Sequence, residues 1–181
     1  MSAPQGIPSP TKKWHTDTYA SISPSNPPLS MKGKKVVISG GGYGIGREVV
    51  LAYAEAGASE IAILGRKEGP LNETKQLAKE KFPETQVSVY IADISDPVPV
   101  KAAAEQFGTW DILVLNAGYM AKREVIDTAD LGDWWNAFEV CHLPPSLERV
   151  LLTRYSTLRS TLRVCSYLCR HSYHSRARIQ S

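Results

Sequence analysis

Val36-Val37-Ile38-Ser39-Gly40-Gly41-Gly42-Tyr43-Gly44-Ile45-Gly46 decides how this chain is read. A β-branched apolar run halts at glycine, and a helix-forming stretch, Arg47-Glu48-Val49-Val50-Leu51-Ala52, follows at once. Glycines at 40, 44 and 46 allow a tight turn and a close backbone approach to a ligand, with no Cβ in the way. A helix opening there presents unpaired N–H groups and the positive end of its dipole to the turn. Such a corner suits a pyrophosphate. Three glycines alone are equally a plain strand-to-helix turn. A strand before them, a helix after them and a second strand beyond select the nucleotide reading. The candidate cofactor contacts in this stretch are Ser39, Gly40, Gly42, Tyr43, Gly44, Ile45 and Gly46.

Outward from that turn, strand-like runs fall at Lys35–Ser39, Ile61–Leu64, Val87–Ile91 and Ile112–Leu115. Helix-like stretches lie between them at Ile45–Ala56, Leu71–Lys81 and Val98–Phe107. Gly57 reads as the C-terminal stop of the first helix and Pro83 follows the second. The strands are apolar runs rather than clean alternations, as expected when helices cover both sheet faces. The pattern predicts an α/β fold: a Rossmann-type, doubly wound parallel sheet, incomplete, with about four strands in the order third, second, first, fourth. Residues 31–140 form the expected dinucleotide-binding half-domain, with an extended arm over 1–30 and a basic tail over 141–181.

Composition sharpens those boundaries. The arm holds six of the twelve prolines and can bury little; Trp14 and Tyr19 either pin part of it to the body or are loosely held aromatics on a mobile tail. Residues 1–140 carry 14 Lys plus Arg against 17 Asp plus Glu, a net of −3. Residues 141–181 carry seven Arg, no Lys and one acid, Glu148, a net of +6. No apolar run approaches the ~20 residues that span a bilayer, and the N-terminus has no apolar secretory core. Three cysteines, all after position 140, make no disulfide framework, so a cytoplasmic location is expected.

After the second strand, where a carboxylate would grip the adenosine ribose, the chain has Gly65-Arg66. A cation there pairs with a 2′-phosphate, which favours NADP over NAD; the bland alternative is a solvated loop arginine. Asp93, with Ile94 beside it, closes the third strand and is placed to accept from the adenine amine or to serve as a turn or cap residue. Asn116-Ala117-Gly118 ends the fourth strand; its small residues suit a ribose, and the Asn side chain can tie adjacent strand ends together.

Ser39-Gly40-x-x-x-Gly44-Ile45-Gly46, Gly65-Arg66, Ala92-Asp93, Asp111 and Asn116-Ala117-Gly118 occur in order at the spacing of the short-chain dehydrogenase/reductase family, which this chain resembles from about Leu29 to Val140. The leader from Trp14 to Leu29 resembles that of fungal members. The resemblance implies NAD(P) binding and interconversion of an alcohol and a carbonyl. Trp134–Val140 resembles the start of the family's long helix. There the pattern stops. The family's catalytic Asn falls at Cys141, and Pro144-Pro145 would break the helix. The family's Ser and Tyr-x-x-x-Lys are absent, since no lysine follows Lys122 and Tyr155, Tyr167 and Tyr173 are followed four on by Arg159, His171 and Ala177. In the family the Tyr handles the hydroxyl proton and the Lys lowers its pKa. The resemblance therefore assigns no catalytic residue here, and the abrupt change after Val140 predicts a truncated or misread chain.

The tail admits other readings. Cys165, Cys169, His171 and His174 are zinc-type ligands, but their spacing fits no common motif, and no metal is expected. Seven arginines interleaved with tyrosines would suit nucleic acid, yet an unstructured basic tail is the simpler reading. Leu147, Leu151, Leu158 and Leu162 fit an amphipathic helix. The expected partners are the dinucleotide and a full-length relative. With four strands only, Ile112–Leu115 would leave an open edge, and marginal stability is expected unless a partner or the tail covers it.

Overall fold

The computed structural model describes residues 17–142 and 163–166. Its strands are β1 (Lys35–Ser39), β2 (Glu60–Gly65), β3 (Gln86–Ile91), β4 (Ile112–Leu115) and β5 (Arg163–Ser166). Its helices are α1 (Gly44–Glu55), α2 (Glu68–Lys81), α3 (Pro97–Phe107) and α4 (Leu131–His142). All strand pairings are parallel, in the order β3-β2-β1-β4-β5.

Alternation along each strand feeds two cores. Val36 and Ile38 of β1, with Ile61 and Ile63 of β2, pack on one face against Val50 and Leu51 of α1 and Leu71 and Ala78 of α2. Val37, Ala62, Leu64 and Leu113 point to the other face, where Val100, Ala103 and Ala104 of α3 and Val140 of α4 cover them. A strand buried on both faces needs apolar residues at every position, which is why these segments read as continuous runs.

The helix ends follow local chemistry. Gly57 (φ 90°) closes α1: its N–H donates to Ala54 O at 3.0 Å, and Ala58 N donates to Tyr53 O at 3.0 Å, the paired bonds of a Schellman ending. Asp96 caps α3 by accepting from Val98 N at 2.9 Å, with Pro97 as the first helical residue. Pro70 lies in the first turn of α2, where its missing N–H costs nothing, so that helix starts three residues before the predicted Leu71. The arm contributes two single 3-10 turns, Ala20–Ile22 and Pro27–Leu29, and Met31 N joins it to the body through Ala56 O at 2.8 Å. Trp14 lies outside the described residues.

The four expected strands are present in the expected order, and a fifth joins them at one edge. β5 comes from the basic tail and pairs with β4 over Ile112↔Arg163 to Leu115↔Ser166, so the edge expected to be open is covered. Arg-Val-Cys-Ser is too short and too mixed to announce a strand, and the pairing partner supplies what its composition lacks. The predicted leucine helix and Cys169, His171 and His174 lie outside the described residues. Among the described residues, no helix is long and apolar enough to cross a membrane, and no group of three or more acidic, His or Cys side chains gathers to hold a metal.

At the opposite end of the sheet from the glycine turn, Asp111 joins the strand starts. Its carboxylate accepts from Lys35 N at 2.9 Å and from Lys34 Nζ at 3.0 Å. Burial alone would raise its pKa; the Lys35 amide and the Lys34 ammonium outweigh that and hold it below the usual carboxylate value. A depressed folded-state pKa contributes stability above the unfolded value, about 4, and that contribution is lost as pH falls through the folded value. Urea midpoints should therefore favour the wild type over Asp111→Asn at neutral pH, with the gap closing below about pH 4. The glycine turn gives a second expectation. A Cβ on Gly46 would stand 2.0 Å from Gly40 O, whereas one on Gly44 (φ 59°) would meet nothing within 4 Å. Gly46→Ala should cost about 3 kcal/mol or more through overpacking, and Gly44→Ala only about 1–2 kcal/mol of backbone strain, both read by chemical denaturation.

Candidate functional site

The strands of a parallel sheet all end on the same edge, and here that edge opens into a cleft of about 670 Å³. Its floor is the β1–α1 turn. Gly40 (φ 72°) takes a left-handed conformation and its N–H donates to Leu64 O at 2.8 Å. A Cβ at Gly40 would fall 2.9 Å from Ala117 Cα. Only glycine lets the turn sit this close to the end of β4. Tyr43 precedes α1 in extended conformation and caps it with no side-chain hydrogen bond. The amides of the first helical turn, Gly44 to Gly46, therefore have no intrahelical acceptor and carry the positive end of the α1 dipole.

Every predicted cofactor contact except Ser39 lines this cleft: Gly40, Gly42, Tyr43, Gly44, Ile45 and Gly46 from the turn, Arg66 after β2, Asp93 and Ile94 after β3, and Asn116, Ala117 and Gly118 after β4. Ser39 is buried one layer below and acts as a clasp. Its Oγ accepts from Asn116 N at 3.0 Å and Ala117 N at 3.1 Å, and donates toward Val114 O at 3.5 Å. Asn116 Nδ2 returns the link, donating to Ser39 O at 3.1 Å and Gly40 O at 3.3 Å. Two strand ends distant in sequence are thereby held as one surface.

Arg66 and Asp93 face each other at 3.8 Å, both substantially exposed. Burial would raise the Asp93 pKa, but the hydroxyl and amide of Ser95, with the Arg66 charge, bring it below the ordinary value. Asp93 Oδ1 accepts from Ser95 Oγ at 2.6 Å and Ser95 N at 3.0 Å, so it shapes the turn after β3 while lining the cleft. The helix cap after this strand is Asp96 instead.

Two groups of residues escape sequence reasoning. Arg47 donates from Nη2 to Gly42 O at 2.8 Å and to Glu73 Oε2 at 2.9 Å, and from Nε to Thr74 Oγ1 at 3.1 Å. Thr74 Oγ1 also donates to Gly42 O at 2.9 Å. These bonds brace the glycine turn against α2; Arg47 is adjacent to the glycine motif, but nothing in the sequence couples it to a threonine 27 residues on. The second group, Tyr119 and Met120, completes the cleft on the β4 side together with Val140 and Cys141, which the family resemblance already singles out. A tyrosine directly after Asn-Ala-Gly is the only signal it leaves.

This arrangement offers a row of main-chain donors for an anionic bridge, a guanidinium and a carboxylate on one side, and a small-residue wall on the other. The family model for short chain dehydrogenases matches residues 34–145. The chain is similar to the short chain dehydrogenase tazN of Aspergillus terreus, 34% identical over 134 residues that cover 72% of this chain and 29% of tazN. It is also similar to the short chain dehydrogenase pigC of Monascus ruber, 35% identical over 143 residues that cover 72% of this chain and 45% of pigC. It spans less than half the length of these curated relatives. Among solved structures, L-sorbose reductase from Gluconobacter frateurii, complexed with NADPH and L-sorbose, aligns with a TM-score of 0.63 at 32% identity over 71% of this chain and 49% of that one. A short chain dehydrogenase/reductase from Burkholderia phymatum in complex with NAD shares the fold, with a TM-score of 0.67 at 24% identity over 75% of this chain and 48% of that one. With the parallel sheet, the glycine corner and the Asn-Ala-Gly strand end in place, the chain belongs to the short chain dehydrogenase family.

Proposed function

We propose that the cleft binds a nicotinamide dinucleotide, with NADP preferred to NAD, and that residues 31–140 are the unit that does so. The observation that carries this reading is the juxtaposition of the α1 amide row with Arg66. Gly44, Ile45 and Gly46 offer donors where a pyrophosphate needs them. Arg66 stands at the end of β2, where a ribose-binding carboxylate would exclude a 2′-phosphate. Asp93, held as a carboxylate, accepts from the adenine amine and Ile94 flanks the ring. Ala117 and Gly118 seat the second ribose. The cleft, about 670 Å³, lies within the range of cofactor pockets. The likeness to a reductase complexed with NADPH supports the same cofactor class.

When bound, the nicotinamide supplies hydride chemistry between an alcohol and a carbonyl. The residues of this chain bind and orient the dinucleotide without moving a proton. Cys141 stands where the family has its catalytic Asn, and no Tyr is followed four residues on by Lys after the Asn-Ala-Gly strand. Arginine does not replace that lysine, because its planar fork differs from an ammonium in shape and hydration. A second reading, a docking half-domain for a full-length relative, is favoured by the exposed Leu131, Trp134 and Trp135 on α4.

Calorimetric titration of the chain with NADP and with NAD tests the cofactor. NADP should bind more tightly, and Arg66→Ala should weaken NADP about tenfold or more while leaving NAD nearly unchanged, the mark of a charge-assisted phosphate contact. Equal affinities in the wild type would refute the NADP preference. Mixing the chain with NADPH and a panel of carbonyl compounds should give no decay of reduced-nicotinamide absorbance; turnover abolished by Gly44→Val would overturn the non-catalytic reading.

A further inference from the structure

Arg66 and Asp93 follow β2 and β3, on one side of the glycine turn, while Asn116 to Met120 follow β4, on the other. A dinucleotide whose phosphates rest at the turn therefore places its adenosine half toward Arg66 and its second nucleoside against the β4 side. Asn116 and Ala117 are fixed there by Ser39. The wall beyond Ala117 has left the sheet and needs other support.

That support comes from α4. The Tyr119 hydroxyl donates to Asp133 Oδ1 in the first turn of the helix. Lys122 N donates to the other carboxylate oxygen, Asp133 Oδ2, at 2.8 Å. Near the last turn, Cys141 Sγ donates to the Tyr119 carbonyl at 3.3 Å. Tyr119 is thus gripped at its side-chain tip and at its backbone by opposite ends of one helix. Eight residues of helix rise about 12 Å, so the tyrosine lies along α4. Past this grip the chain runs outward, with Met120, Val125 and Ile126 exposed.

We propose that Tyr119 and Asp133 are positioning residues that fix the Ala117–Met120 wall for the second nucleoside of the dinucleotide, a role that rests on the dinucleotide reading of the cleft. The adenosine half is directed toward Arg66, so loss of the clamp should fall mainly on the second nucleoside and discriminate between a whole dinucleotide and its adenosine fragment. General destabilisation of the fold would weaken both.

The test is calorimetric titration of the full chain with NADP and with adenosine 2′,5′-bisphosphate. Tyr119→Phe removes the hydroxyl alone and should weaken NADP about five- to tenfold, the size of one ordinary net hydrogen bond. The bisphosphate should change by less than about twofold, because its contacts lie across the turn. Asp133→Ala should reproduce the split, and Asp133→Asn, which keeps one acceptor for the phenol but loses the one that Lys122 N uses, should recover only part of it. Unchanged NADP affinity, or equal weakening of both ligands, overturns the positioning role while leaving the cleft reading intact. A wild-type chain that binds neither ligand overturns both.

Discussion

The contact on which the site depends is the approach of α1 to the end of β1. A Cβ at Gly46 would lie 2.0 Å from Gly40 O and 2.6 Å from Asn116 Nδ2, closer than a Cβ carbon can approach either atom. Side-chain-free backbone at both 40 and 46 lets the helix start beside the strand that feeds it. The start of that helix carries the amide donors, and Asn116 reaches over to hold the same carbonyls. Sheet, helix and site share one atomic junction. The Asn116 amide and the Ser39 hydroxyl then spread the constraint to β4, so the glycine turn and the β4 side of the cleft cannot drift apart without breaking these partly buried hydrogen bonds.

Much of this was legible because the decisive signals are local. The bounds of β1 and β4 coincide with the predicted runs, and the strand order β3-β2-β1-β4 follows from the right-handed crossover rule applied to an alternating pattern. The cleft residues fall at strand ends, where the pattern changes from apolar runs to Gly, Arg, Asp and Asn. Helix starts were less legible: Pro70 and Pro97 look like breakers in sequence but occupy first-turn positions that tolerate proline.

What stayed hidden depends on long-range meetings. β5 draws its strand character from pairing with β4 rather than from its own composition. The Arg47–Thr74 brace joins α1 to α2, and the Tyr119–Asp133 bond spans a loop with no periodicity of its own. Each partner is an ordinary polar residue in sequence. Ser39 opens the glycine motif, and position alone makes it a candidate cofactor contact. The structure places it beneath the cleft, where its oxygen serves three backbone groups.

Thr74 and Arg47 converge on a single carbonyl, that of Gly42. In a trans peptide the C=O and the following N–H point in opposite directions. Drawing the Gly42 oxygen toward α2 therefore turns the Tyr43 N–H away from it, and a flip of that peptide plane would have to sever the bonds from both side chains. The orientation of the loop is locked by a helix that never enters the turn, so the electrostatic sign it presents is set in advance of any ligand.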